Sequence, residues 1–156
     1  MRYIAATIAF IAGIIVDCVW STHFTMWGLA PQVLLVLTIA VASRNGAVAA
    51  QCFGFAWGLY LDVISAHVFG ANALALTLVG YFVGSLRRQM DVTSAGPQLV
   101  LVALLTPAYF LFYGLTGLLF EREFLWVGWS VFLVSPFYNC LFAPLGFEFM
   151  RRFVDL

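Results

Sequence analysis

The chain has 156 residues, of which 64% are hydrophobic and only 9% are charged, and its formal net charge is zero. Soluble domains carry about 25% charged residues, so this composition excludes a water-soluble fold and indicates an integral membrane protein. The zero net charge leaves no basic surface of the kind that nucleic acid binding requires. The three cysteines form no CxxC or Cys/His pattern, so we expect no metal site and no cofactor.

The hydropathy pattern predicts one domain that is a compact, all-α bundle of six transmembrane helices. A spanning helix needs about 20 mostly apolar residues. Six apolar stretches approach this length, and their approximate bounds are 3–20, 30–43, 47–64, 71–86, 98–120 and 124–150. The first stretch is interpreted as a retained helix rather than a signal peptide, because Asp17 stands where a cleavage site of small residues would begin.

Two of the predicted helices have unusual features. The second is short for a span, so we expect its flanks or local thinning of the bilayer to compensate, and Pro31 is expected in its first turn. The sixth contains Pro136 and Pro144, and a proline inside a helix removes a hydrogen bond and clashes with the preceding turn. We therefore expect a kink or a break there.

The arginines predict the orientation of the bundle, since the chain contains no lysine. With six spans, all but one of the arginines fall on the same side of the membrane. The exception is Arg122, which lies between Glu121 and Glu123. Basic residues favour the cytoplasmic side, so the distribution predicts that both termini are cytoplasmic.

Small residues recur at four-residue spacing along the third helix. Gly46, Ala50, Gly54, Gly58 and Asp62 share one helical face, because residues at i and i+4 lie one above the other. In a membrane, such a face lets another helix backbone approach closely. We therefore expect this face to pack inside the bundle.

Two other helices carry similar faces. Gly80 and Gly84 are spaced four apart in the fourth helix, and Ala5, Ala9 and Gly13 follow one another in the first. Since the third helix is expected to be buried, the stripe on the first helix is the better candidate for an external interface with a partner.

Asp62 lies at the outer end of the third helix, and a carboxylate within a membrane helix calls for a functional explanation. It could accept hydrogen bonds from the start of the next helix, around residues 70–72, or contact a partner protein. A catalytic role with His23 or His67 is a third alternative. The sequence contains no Ser/His/Asp order, HExxH or phosphate-binding glycine loop, which argues against an enzyme.

Several of these features, taken in chain order, resemble the bacterial rod shape-determining MreD family. A proline opens an apolar segment at 31–37, a GF-x-x-G-x-x-x-D pattern occupies 54–62, and a glycine precedes the following helix. The resemblance covers about 31–84, and the rest of the chain agrees in length and hydropathy only. The residues that match the family pattern, where their role looks architectural, are Pro31, Gly54, Phe55, Gly58, Asp62 and Gly70.

This resemblance implies a non-enzymatic, multi-pass subunit of the cell-elongation machinery in the bacterial cytoplasmic membrane. Such proteins pair with MreC, a single-span periplasmic scaffold. Through MreC they act on a SEDS-type glycosyltransferase and a class B penicillin-binding protein, and they connect indirectly to MreB filaments. The implied function is to support the regulation of peptidoglycan synthesis and cell shape.

A different class of protein has similar features. The substrate-binding S components of energy-coupling-factor vitamin transporters are also small, hydrophobic, six-helix bundles, and Ala5-x-x-x-Ala9 matches the small-residue face of their first helix. A vitamin site needs several polar and aromatic side chains that converge on one pocket. The outer part of this chain offers few of them, mainly Asp17, His23, Asp62, Asn72 and the 121–123 tip, and this scarcity favours the interaction protein.

Overall fold

The computed structural model describes residues 2–23, 30–65, 68–89, 91–92 and 94–153, without the side chains at positions 2, 3, 5 and 153. His67 lies outside the described residues. The regular structure in the described residues is helical: α1 Arg2–His23, α2 Val33–Asn45, α3 Ala47–Ile64, α4 Ala71–Leu86, α5 Ala95–Phe120 and α6 Trp129–Phe153. Helices α1, α3, α5 and α6 are long and apolar enough to cross a membrane, and α2 and α4 are shorter apolar helices. The chain is therefore an all-α membrane protein.

Two of the differences from the predicted helix bounds concern prolines. Helix α2 begins only at Val33, so the prediction that Pro31 lies in its first turn is wrong. Gln32, with φ −82° and ψ 71°, is not helical, and its backbone N–H donates to Asn139 Oδ1. Helix α6 begins at Trp129, after Gly128 with a positive φ of 92°. It then continues through Pro136 and Pro144, so the helix is not broken there, and the kink stays a prediction.

Helix α2 forms the centre of the bundle. Every residue from Val33 to Ser43 is buried, and α2 contacts each of the other five helices. A helix that is apolar on all sides is stable only when it is surrounded by other elements. Its 13 residues rise about 20 Å, less than the hydrocarbon thickness of about 30 Å. The enclosing helices explain why this short helix is tolerated.

Residues 124–128, between α5 and α6, cover a pair of glycines on α5. The Phe124 ring occupies the space beside Gly114, and Leu125 occupies the space beside Gly117. A side chain at either glycine would overlap these groups. The segment that was predicted as the start of the sixth helix therefore packs against α5 without regular secondary structure.

Candidate functional site

The site is built on the contact between α3 and α4, where backbone meets backbone. A Cβ atom added to Gly54 would lie 2.7 Å from the carbonyl oxygen of Leu76, and one added to Gly58 would overlap the backbone of Ala73. Such close approach of two helices is typical of glycine-containing faces in membranes.

The small residues of α4 complete the same contact from the other side. A Cβ atom on Gly80 would lie 2.8 Å from the carbonyl oxygen of Ala50, and one on Gly84 would overlap Ala47. As α3 proceeds from Ala47 towards its end, its partners on α4 run back towards the beginning of that helix. The two helices are therefore antiparallel, and their small-residue faces meet along most of their length.

Asp62 closes this contact at the end of the hairpin where α3 ends and α4 begins. Its side chain is 3% exposed. Its Oδ1 accepts hydrogen bonds from the backbone N–H of Asn72 at 2.9 Å and from Asn72 Nδ2 at 3.0 Å, and its Oδ2 accepts the N–H of Ala73 at 3.0 Å. A carboxylate at this position satisfies N–H groups that lack a helical acceptor and complements the positive end of the α4 dipole.

Gly70 allows α4 to start in this position. Its φ of 97° and ψ of −10° lie in the left-handed region, which glycine adopts without the steric cost that a Cβ atom imposes. A Cβ atom at Gly70 would meet no neighbour within 4 Å. The backbone conformation, rather than space, therefore explains a glycine before α4.

The hydrogen bonds continue from Asp62 into α5. The hydroxyl group of Tyr109 donates to Asn72 Oδ1, and both side chains are buried. Asn72 Nδ2 also lies 3.5 Å from Ser65 Oγ. Sequence reasoning missed Tyr109. The available signal was a tyrosine three residues after Thr106 in an otherwise apolar helix, because residues at i and i+3 share a face.

A second buried polar cluster joins α5, α6 and the start of α2. Asn139 is fully buried. Its Oδ1 accepts the backbone N–H of Gln32 at 2.9 Å, and its Nδ2 donates to Thr106 Oγ1 at 3.1 Å and to Gln32 Oε1 at 3.3 Å. Pro31, which is buried beside Gln32, is thereby held against α6. Asn139 was also missed, although an asparagine within an apolar span indicates a contact between helices.

A cavity of about 280 Å³ lies beside these clusters, at the same end of the bundle as Asp62 and Asn72. Asp17, which is half-buried, and the Tyr109 side chain both line it. Both Asp62 oxygens accept hydrogen bonds from α4, so this carboxylate joins α3 to α4. In the described part of the chain, no three His, Cys, Asp or Glu side chains converge in a way that could hold a metal.

The small-residue stripe on α1 faces the bundle, so the expectation of an external interface there is wrong for the two residues that can be judged. Ala9 is fully buried, and a Cβ atom on Gly13 would lie 2.8 Å from Trp57 Cζ2. The indole Nε1–H of Trp57 donates to the Phe10 carbonyl oxygen at 3.2 Å. The large ring needs both a small neighbour and an acceptor. The side chain of Ala5 lies outside the described residues.

Phe55, unlike the glycines on either side of it, points away from the core and is 52% exposed. Near it, a shallow groove of about 250 Å³ runs between α1 and α3. We call it the α1–α3 groove. Cys52 is exposed in the groove, and the side chains that line it are mostly small: Ala6, Thr7, Phe10, Cys52, Phe53 and Ala56.

The structure thus brings Gly54, Gly58 and Asp62 together on the α4 contact, places Gly70 at the start of α4, and leaves Phe55 outside. The chain matches the family model described as rod shape-determining protein MreD over residues 1–153. It matches no curated protein and no solved structure. Because the family match covers nearly the whole chain, the chain belongs to the MreD family and is a membrane protein of the rod-shape system.

Proposed function

We propose that this protein is a non-enzymatic subunit of the cell-elongation complex whose function is to hold the scaffold MreC. Through MreC it would support the glycosyltransferase and penicillin-binding protein pair, and connect indirectly to MreB. Family membership supports this proposal, as does the hydrogen bonding of Asp62, which leaves that carboxylate engaged in packing rather than available for catalysis.

The observation that carries the proposal is the α1–α3 groove. Small side chains allow a helix of another protein to approach closely, and this is how helices associate within a bilayer. Phe55 lies exposed on α3, next in the chain to Ala56, which lines the groove, and offers a large apolar side chain to a partner helix. We therefore assign this groove to the single membrane-spanning helix of MreC.

Cross-linking from the native Cys52 tests this assignment. A variant with Cys18→Ser and Cys140→Ser retains Cys52 alone, and single cysteines are placed along the MreC span. We expect disulfides that recur every three to four MreC positions, because one helical face would meet the groove. The matched control retains Cys140 alone, whose Sγ contacts Leu99 O between α5 and α6. Equal cross-linking from Cys140 would refute the assignment.

Replacing Phe55 tests the same surface without a cysteine. Phe55→Ala should weaken capture of MreC in detergent extracts while leaving the bundle stable, since its side chain lies outside the core. Phe82→Ala is the control, because Phe82 is equally exposed at 53% but lies on α4, which does not line the groove. If both variants lose MreC to the same extent, the loss has another cause.

We also propose that all six helices cross the bacterial cytoplasmic membrane, with both termini in the cytoplasm. The distribution of arginines supports this orientation. Cysteine-accessibility labelling should then find positions 87 and 151 on the cytoplasmic side and position 122 outside. The reverse labelling would contradict the topology.

The transporter alternative has one observation in its favour, the outer cavity beside Asp17 and Tyr109. Affinity purification from the native membrane separates the two functions. A single-span periplasmic scaffold in the purified complex supports the shape function. Recovery of ATPase subunits together with a small vitamin would support the transporter.

A further inference from the structure

A polar cavity of about 330 Å³ lies at the opposite end of the α3–α4 hairpin from Asp62. We call it the inner cavity. It is distinct from the α1–α3 groove and shares no residue with it. The end of α2, the first turn of α3 and the end of α4 supply its lining: Asn45, Gly46, Ala47, Val48, Gly84, Arg87 and Arg88.

Two positive features converge on this cavity. Helix α3 starts here without a side-chain cap, so the N–H groups of its first turn and the positive end of its dipole face the cavity. The guanidinium group of Arg87 lies close to this N-terminus, since a Cβ atom on Gly46, the residue before α3, would be 3.6 Å from Arg87 Nη1. Arg87 follows the end of α4, whose dipole favours a cation, and its charge lies beside the start of α3, where an anion is favoured.

The arginines of the inner cavity differ from those at the end of α6. Arg151 and Arg152 each form an ion pair with Glu148, at 2.9 and 3.3 Å. Within the part of the chain that the structure describes, neither Arg87 nor Arg88 has an acidic partner. Their charge is therefore available to a ligand from outside the chain.

Asn45 is an independent indication of a ligand. Its side-chain Nδ2 and Oδ1 are both buried, and neither has a hydrogen-bond partner among the described residues. Buried polar groups are almost always paired, and an exception calls for an explanation such as a missing ligand. An acceptor in the inner cavity could take the Nδ2 hydrogen and satisfy this amide.

We propose that the inner cavity binds the phosphate group of an anionic phospholipid. Guanidinium groups bind phosphate oxygens through paired hydrogen bonds, and an uncapped helix N-terminus binds the same group. Basic pockets between membrane helices on the cytoplasmic side recognise anionic headgroups. The orientation in Proposed function, on which the lipid source rests, places the inner cavity at that leaflet, and the acyl chains would remain in the bilayer beside α4.

The test compares two double variants that lose the same charge. The purified full-length protein in mild detergent is titrated with phosphatidylglycerol or phosphatidylcholine, and bound lipid is measured by native mass spectrometry. Each arginine near an anionic lipid contributes about 1 kcal/mol, so Arg87→Gln with Arg88→Gln should weaken phosphatidylglycerol binding by about thirtyfold. Arg151→Gln with Arg152→Gln should leave it unchanged. Equal weakening in both would refute the site.

Further arms test the amide and the source of the phosphate. Asn45→Asp keeps the shape of the side chain and adds a negative charge, so it should also weaken phosphatidylglycerol binding. Binding of phosphatidylcholine as strong as that of phosphatidylglycerol would overturn the proposal. If millimolar inorganic phosphate displaces the lipid completely, the site takes soluble phosphate and the lipid assignment is wrong. The arginine variants should still capture MreC, because the inner cavity and the groove share no residue. This measurement therefore separates a failure of the lipid proposal from a failure of the scaffold function.

Discussion

Replacing Gly58 by alanine tests whether the α3–α4 contact determines the stability of the bundle. The new methyl group would lie 2.7 Å from the carbonyl carbon of Asn72 and closer still to Ala73. An ordinary contact between carbon atoms is about 3.5–4.0 Å, and these neighbours are backbone atoms that no rotamer change can move. Helix α4 must therefore shift by about 1 Å, which lengthens the bond from the Ala73 N–H to Asp62.

The expected cost combines both effects. Overpacking costs about 1–3 kcal/mol, and a hydrogen bond to a charged group contributes about 1.5–3 kcal/mol. We therefore expect Gly58→Ala to lower the free energy of unfolding by about 2.5–6 kcal/mol, and Gly58→Leu to disrupt folding and MreC binding together. Steric-trap unfolding in bicelles measures the first effect, and co-purification measures the second.

Gly96→Ala is the matched control. Gly96 lies in α5 with nothing within 4 Å of an added Cβ atom, and alanine is favoured over glycine in a helix by about 1 kcal/mol. This substitution should therefore be neutral or stabilising. If Gly58→Ala proves as stable as Gly96→Ala and still binds MreC, the close contact between α3 and α4 does not determine the stability of the bundle.

Four further substitutions probe the end of the hairpin that Asp62 closes, by the same unfolding assay. Asp62→Asn should cost about 1.5–3 kcal/mol, because an amide presents one acceptor where two oxygens now accept; wild-type stability would show that the carboxylate is dispensable. Tyr109→Phe leaves Asn72 Oδ1 buried without its donor and should cost about 1–3 kcal/mol; no change would mean that water replaces the hydroxyl. Gly70→Ala should cost about 1–2 kcal/mol, whereas Gly70→Asn should cost less, since asparagine tolerates the left-handed conformation; equal losses would argue against backbone strain.

The sequence predicts the α3–α4 contact better than any other part of the fold. Glycines at four-residue spacing identify one face of each helix, and these two faces are the ones that meet in the structure. Periodicity also identifies the face of α1 that carries Ala9 and Gly13. It does not say which neighbour that face meets, because Trp57, the residue that needs both a small neighbour and an acceptor, lies far away in the chain.

The buried polar clusters were less accessible to sequence reasoning for a related reason. A carboxylate within an apolar stretch is costly enough to attract attention, so Asp62 was found. Asn139 and Tyr109 are uncharged, so neither residue calls for a functional explanation when it is considered alone in a membrane helix. Their importance depends on Gln32 and Asn72, which are distant in sequence and become neighbours only once α2 occupies the centre.

The two ends of the α3–α4 hairpin show one physical requirement met in two ways. Each end contains a helix N-terminus whose first N–H groups lack helical acceptors. At the outer end Asp62 supplies an anion from within the chain, and the start of α4 is complete. At the opposite end of the hairpin, α3 starts with no side-chain cap. There Arg87 places a positive charge beside the helix N-terminus, whereas Asp62 places a negative charge beside the start of α4. The phospholipid phosphate that we propose for the inner cavity would meet, at the start of α3, the requirement that Asp62 meets at the start of α4.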